Sequence, residues 1–210
     1  MTSNEAMNWR YATKRMKGKA IPDKTINRII EAIHLSPSAM GLQPYEVLVI
    51  SNNEIKSKIQ PIAFNQKQVA ECSHLLVFAA WNKYSESRID KVFDHLAQQR
   101  NLPFSETEGQ RNSTKKYFGE ISDDENFHHA AKQAGIALGI AVLTAALEGI
   151  DASPMEGFNP IALEEFLGLT AKGLRSTMLL ALGYRDDVND WNHKLKKVRK
   201  PINELVTMIK

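Results

Sequence analysis

The stretch from Phe127 to Phe158 constrains the fold of this chain more than any other. Its first two-thirds is rich in Ala, Leu and Ile, has no proline and carries charges only near its ends, which predicts a helix. Because this helix is apolar nearly all round, we expect it to be buried. Its uncharged part is shorter than the roughly 20 residues that span a bilayer, so we predict a core helix.

Small side chains recur along this predicted helix at every fourth position, namely Ala131, Gly135 and Gly139. Such a ridge lets a second backbone approach closely. Gly149 stands where a helix C-cap belongs. The segment Asp151 to Phe158 is interpreted as a turn-forming loop. Its proline, carboxylate and glycine fit either a ligand-facing edge or a plain connector to a strand.

The 210 residues predict one domain, residues 1–210, that is large enough to bury a core. A net charge of +3 is only mildly basic, which argues against a nucleic-acid-binding protein. The single cysteine, Cys72, excludes an internal disulfide and a cysteine-based zinc site, as expected of a cytoplasmic protein. We expect no signal peptide, because the N-terminus lacks an apolar run after a basic start.

Helices alternate with about four strands in the hydrophobic pattern, which indicates an α+β or α/β fold. The first strand is nearly continuously apolar, so we expect both of its faces to be buried. The segment 101–113 is predicted to be a mobile surface loop that leads into a short helix. The predicted strands are 45–50, 75–80 and 177–182, and the predicted helices are 3–15 (capped by Ser3 or Asn4), 22–36, 53–63, 88–100 and 160–168.

Two basic clusters, residues 10–15 and 194–200, stand far apart in the sequence. The chain has neither the G-x-G-x-x-G motif nor the G-x-x-x-x-G-K-[ST] motif, so a nucleotide-like cofactor must be held in another way. Arginine and lysine side chains together can bind a phosphate monoester without a glycine-rich loop. The alternative is that both clusters are solvated faces.

Few other side chains suggest chemistry. The amides of residues 65–68 suit the edge of a flat heterocycle, or form an ordinary polar loop. His128 and His129 are adjacent and diverge on a helix, so no metal site is predicted. Cys72 is interpreted as a core thiol. Glu156 has no visible partner, and no catalytic side chain is predicted.

Five short elements, taken in order, resemble the nitroreductase family of FMN-dependent NAD(P)H oxidoreductases over nearly the whole chain. The resemblance implies an α+β fold with a central, mostly antiparallel sheet flanked by helices. It also implies an interlocked homodimer whose C-terminal arm, with the apolar tail 202–209, reaches the partner. The elements are R-x-[ST]-x-[KR]-like at 10–14, S-P-S-x-x-x-x-Q-P-[WY]-like at 36–45, the amide-bearing loop at 65–68, P-x-E-G-F at 154–158 and K-x-R-x-P at 197–201.

The resemblance assigns cofactor-binding roles to four groups of residues. The phosphate and ribityl end of FMN falls to Arg10, Tyr11, Ala12, Lys14, Lys197 and Arg199. A loop from the other subunit, with Pro37, Ser38, Ala39 and Gly41, lines the isoalloxazine ring. Asn65 and Gln68 bind the pyrimidine edge of the ring. Pro154, Met155, Glu156 and Gly157 lie against the ring, with the backbone N–H near Glu156 or Gly157 directed at flavin N5.

Three positions depart from the commoner family pattern. Ala12 replaces a hydroxyl residue, Gly41 replaces an asparagine and Tyr45 replaces a tryptophan. The first two changes remove side chains that can bond to the phosphate and to the ring, respectively. The charged residues at both ends of the chain are retained.

The resemblance implies a cytoplasmic flavoenzyme with ping-pong kinetics. NADH or NADPH reduces FMN, and a small-molecule electron acceptor, a nitroaromatic or a quinone, then takes the hydride. No metal, nucleic acid or membrane is expected to take part, and residues 101–113 are expected to set acceptor selectivity. Two alternatives stay open: a flavin-dependent reductase dedicated to one metabolite, such as an enone or free flavin, and a non-enzymatic basic protein that binds nucleic acid or anionic ligands.

Overall fold

The computed structural model describes residues 1–210 and contains four strands and nine α-helices. The strands are β1 (Tyr45–Ile50), β2 (His74–Trp81), β3 (Asp151–Met155) and β4 (Leu174–Gly183). The helices are α1 (Ser3–Trp9), α2 (Asp23–His34), α3 (Asn53–Ile62), α4 (Lys67–Glu71), α5 (Glu86–Arg100), α6 (Ser105–Gly119), α7 (Asp123–Leu147), α8 (Pro160–Leu167) and α9 (Ile202–Leu205).

The four strands form one sheet in the order β1-β2-β4-β3, and every neighbouring pair is antiparallel. This confirms the predicted antiparallel sheet flanked by helices. The prediction that β1 is buried on both faces is wrong. β1 is an edge strand with one neighbour, β2, and only Ile50 of its six residues is buried, while Glu46 is exposed and Val49 is 40% exposed.

The core has two layers, one on each face of the sheet. Successive strand residues point to opposite faces, so Leu76 of β2 packs with α2 and α7, whereas Leu75 packs with α3, α4 and α8. β4 divides in the same way, with Leu180 on the α7 side and Leu179 on the other. The sheet therefore separates α7 from the three helices of the opposite layer.

Helix α7 begins at Asp123, four residues before the predicted start, because Ser122 and Glu125 form a capping box there. It is long and apolar enough to cross a membrane by length and composition alone, but it packs on the sheet and on α2. The expectation of burial all round is wrong, because α7 is buried only where it faces the sheet and the neighbouring helices. We call its uncovered side the α7 stripe: Ile136, Gly139, Ile140, Leu143 and Leu147, of which Ile136 and Leu147 are 42% and 43% exposed.

The first helix is shorter than predicted and has a different cap. Thr2, rather than Ser3 or Asn4, caps α1 and forms a capping box with Glu5. The helix ends at Trp9, and Arg10 already has an extended backbone. The cause is tertiary, because residues 10–16 bond to the chain beyond β4 instead of to their own helix.

Two predicted loops are largely regular structure, and the second half of the predicted amide-bearing loop, residues 67–68, lies in α4. Residues 105–113 belong to α6, where Arg111 pairs with Asp94 at 2.6 Å and with Asp90 at 3.5 Å on the neighbouring α5. Residues 151–155 form β3, which pairs along its whole length with β4. Residues 184–201 are largely irregular, and residues 202–210, which include the short helix α9, are exposed.

Candidate functional site

Four of the predicted phosphate-binding residues, Arg10, Tyr11, Ala12 and Lys14, lie on an extended segment, residues 10–16, that runs beside the chain following β4. Asp190 accepts hydrogen bonds from the Tyr11 hydroxyl and from the Lys14 backbone N–H, both at 2.9 Å. The side-chain amide of Asn192 donates to the Ala12 carbonyl at 2.9 Å. These bonds fix the backbone on either side of Thr13, so the side chains of the segment are displayed from a rigid support.

The two basic clusters meet in the folded chain. The Lys197 ammonium donates to the Arg10 carbonyl at 2.6 Å and to the Asn8 carbonyl at 3.1 Å. Burial lowers the pKa of Lys197, and the charges of Arg10 and Arg199 lower it further. Burial also lowers the pKa of Arg10, and so does the charge of Arg199, while Asp151 opposes the shift. We call Arg10, Lys197 and Arg199 the basic cradle.

Arg10 itself is a buried cation with spare donor capacity. Its side chain is 7% exposed, and its Nη2 donates to the Ala152 carbonyl at 3.2 Å. Its Nε is buried and has no hydrogen-bond partner within the chain. Since buried donors in folded proteins are almost always paired, this orphan donor fits an anionic group, such as a phosphate ester, that binds from outside.

A groove runs along β3 and the N-terminal half of α7. A cavity of about 290 Å³ is lined by Leu138, Met178 and residues 154–156. A second cavity of about 660 Å³ shares Glu156 and Met178 and extends past Gly135. Together they reach the ~300–1,000 Å³ range of small-molecule sites.

The amide-bearing loop meets the groove at residues 154–157. The Gln66 side chain donates to the Gly157 carbonyl at 2.7 Å, and the Gln68 side-chain amide lies 3.6 Å from the Met155 sulfur. Gln68 is buried, whereas Asn65 is exposed on a left-handed backbone with φ of 58°. A Cβ at Gly157 would lie 3.1 Å from the Gln66 amide nitrogen, so only glycine fits there without a shift.

The backbone itself offers donors to this groove. The N–H groups of Glu156 and Gly157 make no hydrogen bond within the chain. Glu156 and Pro154 are exposed, and Met155 between them is buried against the sheet. The hydrogen bond from Gln66 to Gly157 joins residues 91 positions apart in the sequence. It brings the segments 65–68 and 154–157 together at one edge of the groove.

The loop predicted to line the ring is held elsewhere in the same chain. The Ala39 N–H donates to the Gln133 side chain of α7 at 2.8 Å, and the Gln43 N–H donates to the Ser38 hydroxyl at 2.8 Å. Pro37 and Gly41 are exposed. None of these residues lines the two cavities of the groove, so one chain does not bring this loop to the other predicted residues.

The remaining candidates have ordinary structural surroundings. His129 Nδ1 is 2.7 Å from the Tyr84 hydroxyl, whereas His128 lines the larger cavity, so the two imidazoles diverge. Burial raises the pKa of the Cys72 thiol to about 12. Cys72 is 1% exposed and its Sγ donates to the Val69 carbonyl at 3.1 Å, as predicted for a core thiol.

The family model of the nitroreductases matches residues 7–184 of this chain. The chain belongs to the nitroreductase family. The major NAD(P)H-flavin oxidoreductase of Aliivibrio fischeri is 31% identical to it over 209 residues, with 95% of both chains covered. The oxygen-insensitive NAD(P)H nitroreductase of Enterobacter cloacae is 28% identical over 209 residues, with 94% of this chain and 95% of the relative covered.

The nitroreductase fold is also found in solved structures. A protein from Exiguobacterium sibiricum, solved in complex with FMN, superimposes with a TM-score of 0.84 at 22% sequence identity. The match covers 100% of this chain and 98% of the other. At this identity the likeness establishes the fold.

Two buried carboxylates beside the site were not predicted from the sequence of this nitroreductase. Asp151 and Asp190 are 3% and 4% exposed, and both accept hydrogen bonds from the segment that carries Arg10. Their partners are 138 residues away for Asp151 and 179 residues away for Asp190. No local pattern in the sequence marks such pairs.

Proposed function

We propose that this chain is an FMN-dependent oxidoreductase that uses NADH or NADPH to reduce flat electrophilic acceptors such as nitroaromatics or quinones. The observation that carries the proposal is the basic cradle. Arg10, Lys197 and Arg199 repel one another, and Arg10 keeps an unpaired buried donor. A phosphate dianion satisfies both features, because it neutralises the cations and accepts the free N–H.

The groove beside the cradle has the shape and the donors that a flavin ring requires. Residues 154–157 line or border it, and the Gln66 bond to Gly157 fixes their position. The free N–H groups of Glu156 and Gly157 would point hydrogen-bond donors at the ring. When bound, FMN supplies the hydride-carrying chemistry, and the protein supplies position and electrostatics.

We also propose a homodimer in which the partner subunit completes the site. The loop with Pro37, Ser38 and Ala39 lines no groove in its own chain, which fits a role against the partner's flavin. The α7 stripe leaves a row of apolar side chains uncovered. An isologous contact between two such stripes would bury them on both subunits. A cytoplasmic location is part of the same proposal.

A second candidate is a reductase of free flavin. The relative from Aliivibrio fischeri, 31% identical over 95% of this chain, is named for flavin oxidation and reduction with NAD(P)H. This alternative keeps the cradle and the groove and changes only the acceptor. Steady-state rates with a nitroaromatic, a quinone, an enone and free FMN, measured at equal concentration, separate the two functions.

The visible spectrum of the purified protein tests the proposal directly. We expect a yellow protein, or a colourless one that takes up added FMN, whose flavin absorbance bleaches with NADH or NADPH in the absence of oxygen. A protein that stays colourless with excess FMN contradicts the proposal and favours the non-enzymatic binder. Retention of bound flavin without bleaching by either nucleotide contradicts the proposed hydride donor alone.

A further inference from the structure

A buried ion pair between Arg185 and Asp151 lies close to the basic cradle and has no role in the function proposed above. The Arg185 Nε donates to the Asp151 carboxylate at 2.8 Å, and Arg185 Nη2 lies 2.6 Å from the same oxygen. The Arg185 backbone N–H donates to the other oxygen at 2.8 Å. The side chains are 19% and 4% exposed, respectively, so water screens the pair weakly.

Arg185 also contacts both sequence neighbours of Arg10. Its guanidinium carbon lies 4.2 Å from the Trp9 ring centre and 4.8 Å from the Tyr11 ring centre. Both distances are within the range of cation–π attraction. The Arg185 side chain therefore contacts the side chains immediately before and immediately after the residue that we assign to the phosphate.

Asp151 is placed to compete with the phosphate for Arg10. Arg10 Nη2 already donates to the carbonyl of Ala152, the residue next to Asp151, at 3.2 Å. A buried carboxylate needs a cation, and Asp151 has one in Arg185. If Arg185 were absent, Asp151 would need another cation. Arg10 could replace it, because its side chain already donates to the adjacent residue of β3. An Arg10–Asp151 pair would occupy the donors that the phosphate requires.

We propose that Arg185 is a positioning residue that neutralises Asp151 and thereby keeps Arg10 free to bind the phosphate of FMN. The inference rests on the proposed function, because it assigns a role at the same cofactor site. Under this proposal Arg185 needs no contact with the phosphate. It acts through Asp151, whose charge it satisfies, and through Trp9 and Tyr11, which it holds on either side of Arg10.

The test compares a flavin that has the phosphate with one that lacks it. Apoprotein is titrated with FMN and with riboflavin, and each dissociation constant is read from quenching of flavin fluorescence. Arg185→Met, which keeps an apolar stem against the two aromatic rings, should weaken FMN binding about tenfold or more, the size of a lost charge-assisted hydrogen bond. Riboflavin binding should change less than about twofold, because it makes no phosphate contact.

A second substitution distinguishes competition from simple damage. Arg185→Met combined with Asp151→Asn removes the carboxylate that captures Arg10, so FMN affinity should return to within about threefold of wild type. Arg185→Lys, which retains the charge, should keep the preference for FMN over riboflavin. Arg28→Met is the matched control, because it breaks the Arg28–Glu148 ion pair between α2 and the end of α7, and its ratio of FMN to riboflavin affinity should equal that of wild type.

Three results would decide against the inference. Equal weakening of FMN and riboflavin in Arg185→Met, no recovery in the double variant, or an unchanged FMN affinity each means that Arg185 does not keep Arg10 available. Circular dichroism confirms that each variant is folded, and Arg185→Gln, which keeps a donor to Asp151 without the charge, replaces Arg185→Met if that variant unfolds. Failure of the wild-type protein to bind FMN at all is a different outcome, since it overturns the proposed function itself.

Discussion

Arg10 illustrates at the scale of one residue how a buried charge can be kept for a ligand. It is 7% exposed, and the only hydrogen bond of its side chain within the chain goes from Nη2 to the Ala152 carbonyl. Burying a cation without a counter-charge is costly. The charge of Asp151 offsets part of this cost. Hydrogen bonds with Asp190, Asn192 and Lys197 hold the backbone of the segment in place.

Charge reversal at Arg10 is the first prediction. Arg10→Glu should weaken FMN binding by at least about 2 kcal/mol, or roughly thirtyfold, because it removes a charge-assisted donor and adds repulsion. Fluorescence titration with FMN measures the change. Arg100→Glu, at the exposed end of α5, is the control and should bind FMN like wild type. Normal FMN affinity in Arg10→Glu would mean that the phosphate assignment is wrong.

The second prediction concerns Gly183, the last residue of β4. A Cβ there would lie 2.8 Å from the Met16 sulfur and 3.4 Å from the backbone nitrogen of Ser73. Gly183→Ala should therefore destabilise the fold by about 1–3 kcal/mol, as overpacking of a filled core does. Urea unfolding followed by circular dichroism measures the free energy.

Gly109 supplies the matched control for that substitution. It lies within α6, and a Cβ there meets nothing within 4 Å. Gly109→Ala should stabilise the protein by about 0.5–1 kcal/mol, because alanine loses less backbone entropy in a helix. If both substitutions shift stability in the same direction, crowding at Gly183 is not the cause of its effect.

At the scale of elements, helices could be predicted from the sequence wherever their local signals agreed with the tertiary packing. Helix α2 shows its buried face as Ile26, Ile29 and Ile33, and α8 shows Asn159 as cap and Pro160 as first residue. The boundaries of both could be predicted closely for that reason. Helix α1 was overestimated because the segment after Trp9 carries helix-compatible residues that bond instead to Asp190.

Strand β3 could not be predicted from its composition. Its sequence, Asp-Ala-Ser-Pro-Met, contains two residue types that are depleted in strands. It forms because β3 lies at the edge of the sheet, next to β4 only, and an edge strand tolerates a proline that lacks an N–H. The position of a strand within a sheet depends on tertiary contacts, which a local sequence pattern does not reveal.

The third prediction concerns the ion pair that joins α2 to the end of α7. Arg28 Nε donates to Glu148 at 2.7 Å, and this bond holds the pKa of the Glu148 carboxyl below its usual range. A carboxyl with a lowered folded-state pKa stabilises the fold above its unfolded pKa, and this stabilisation is lost as the pH falls through the folded value. The contribution is therefore present at pH 7 and disappears in acid.

Glu148→Gln makes that pH dependence measurable. At pH 7 the variant should be less stable than wild type by a few tenths to about 1 kcal/mol, the usual worth of a partly exposed pair. The difference should shrink towards zero below about pH 4, where free glutamate is itself protonated. Urea unfolding at pH 7 and pH 3.5 compares the two proteins. A difference that is equal at both pH values would rule out the ionised pair as its source.

At the scale of the whole molecule, two exposed apolar surfaces bear on the proposed assembly. One is the α7 stripe, and the other is the C-terminal tail, where Ile202, Leu205 and Ile209 are 78%, 69% and 94% exposed. Large uncovered apolar patches usually mark protein contacts. Both patches fit the proposed homodimer, in which each tail crosses to the other subunit.

Removal of the tail is the fourth prediction. A chain ending at Lys200 keeps the basic cradle but loses the exposed side chains of residues 202–209. The proposed dimer should therefore be weaker and should dissociate at higher protein concentrations than the dimer of the full chain. Sedimentation velocity across a concentration series measures the change. Ile161→Ser, at a residue of α8 that is 76% exposed, removes a comparable apolar side chain outside the tail and should leave the association unchanged. Full-length protein that sediments as a monomer would contradict the proposed dimer.

The fold class and the family were accessible from the sequence, whereas the support of the site was not. Five weak elements in the right order were sufficient for the family, since each one sits on a separate part of the chain and their order is informative together. The positions of Asp151, Asp190 and Arg185 depend on contacts across 34 to 179 residues. Such contacts are decided by the packing of the whole chain and leave no trace in local spacing.

The burial of Cys72 has a practical consequence for experiments on this protein. Its thiol is 1% exposed, has a pKa of about 12 and is the only one in the chain. At neutral pH it is protonated and shielded, so maleimide reagents should leave it unmodified. A cysteine introduced on the surface can therefore carry a fluorescent or spin label without prior removal of the native one.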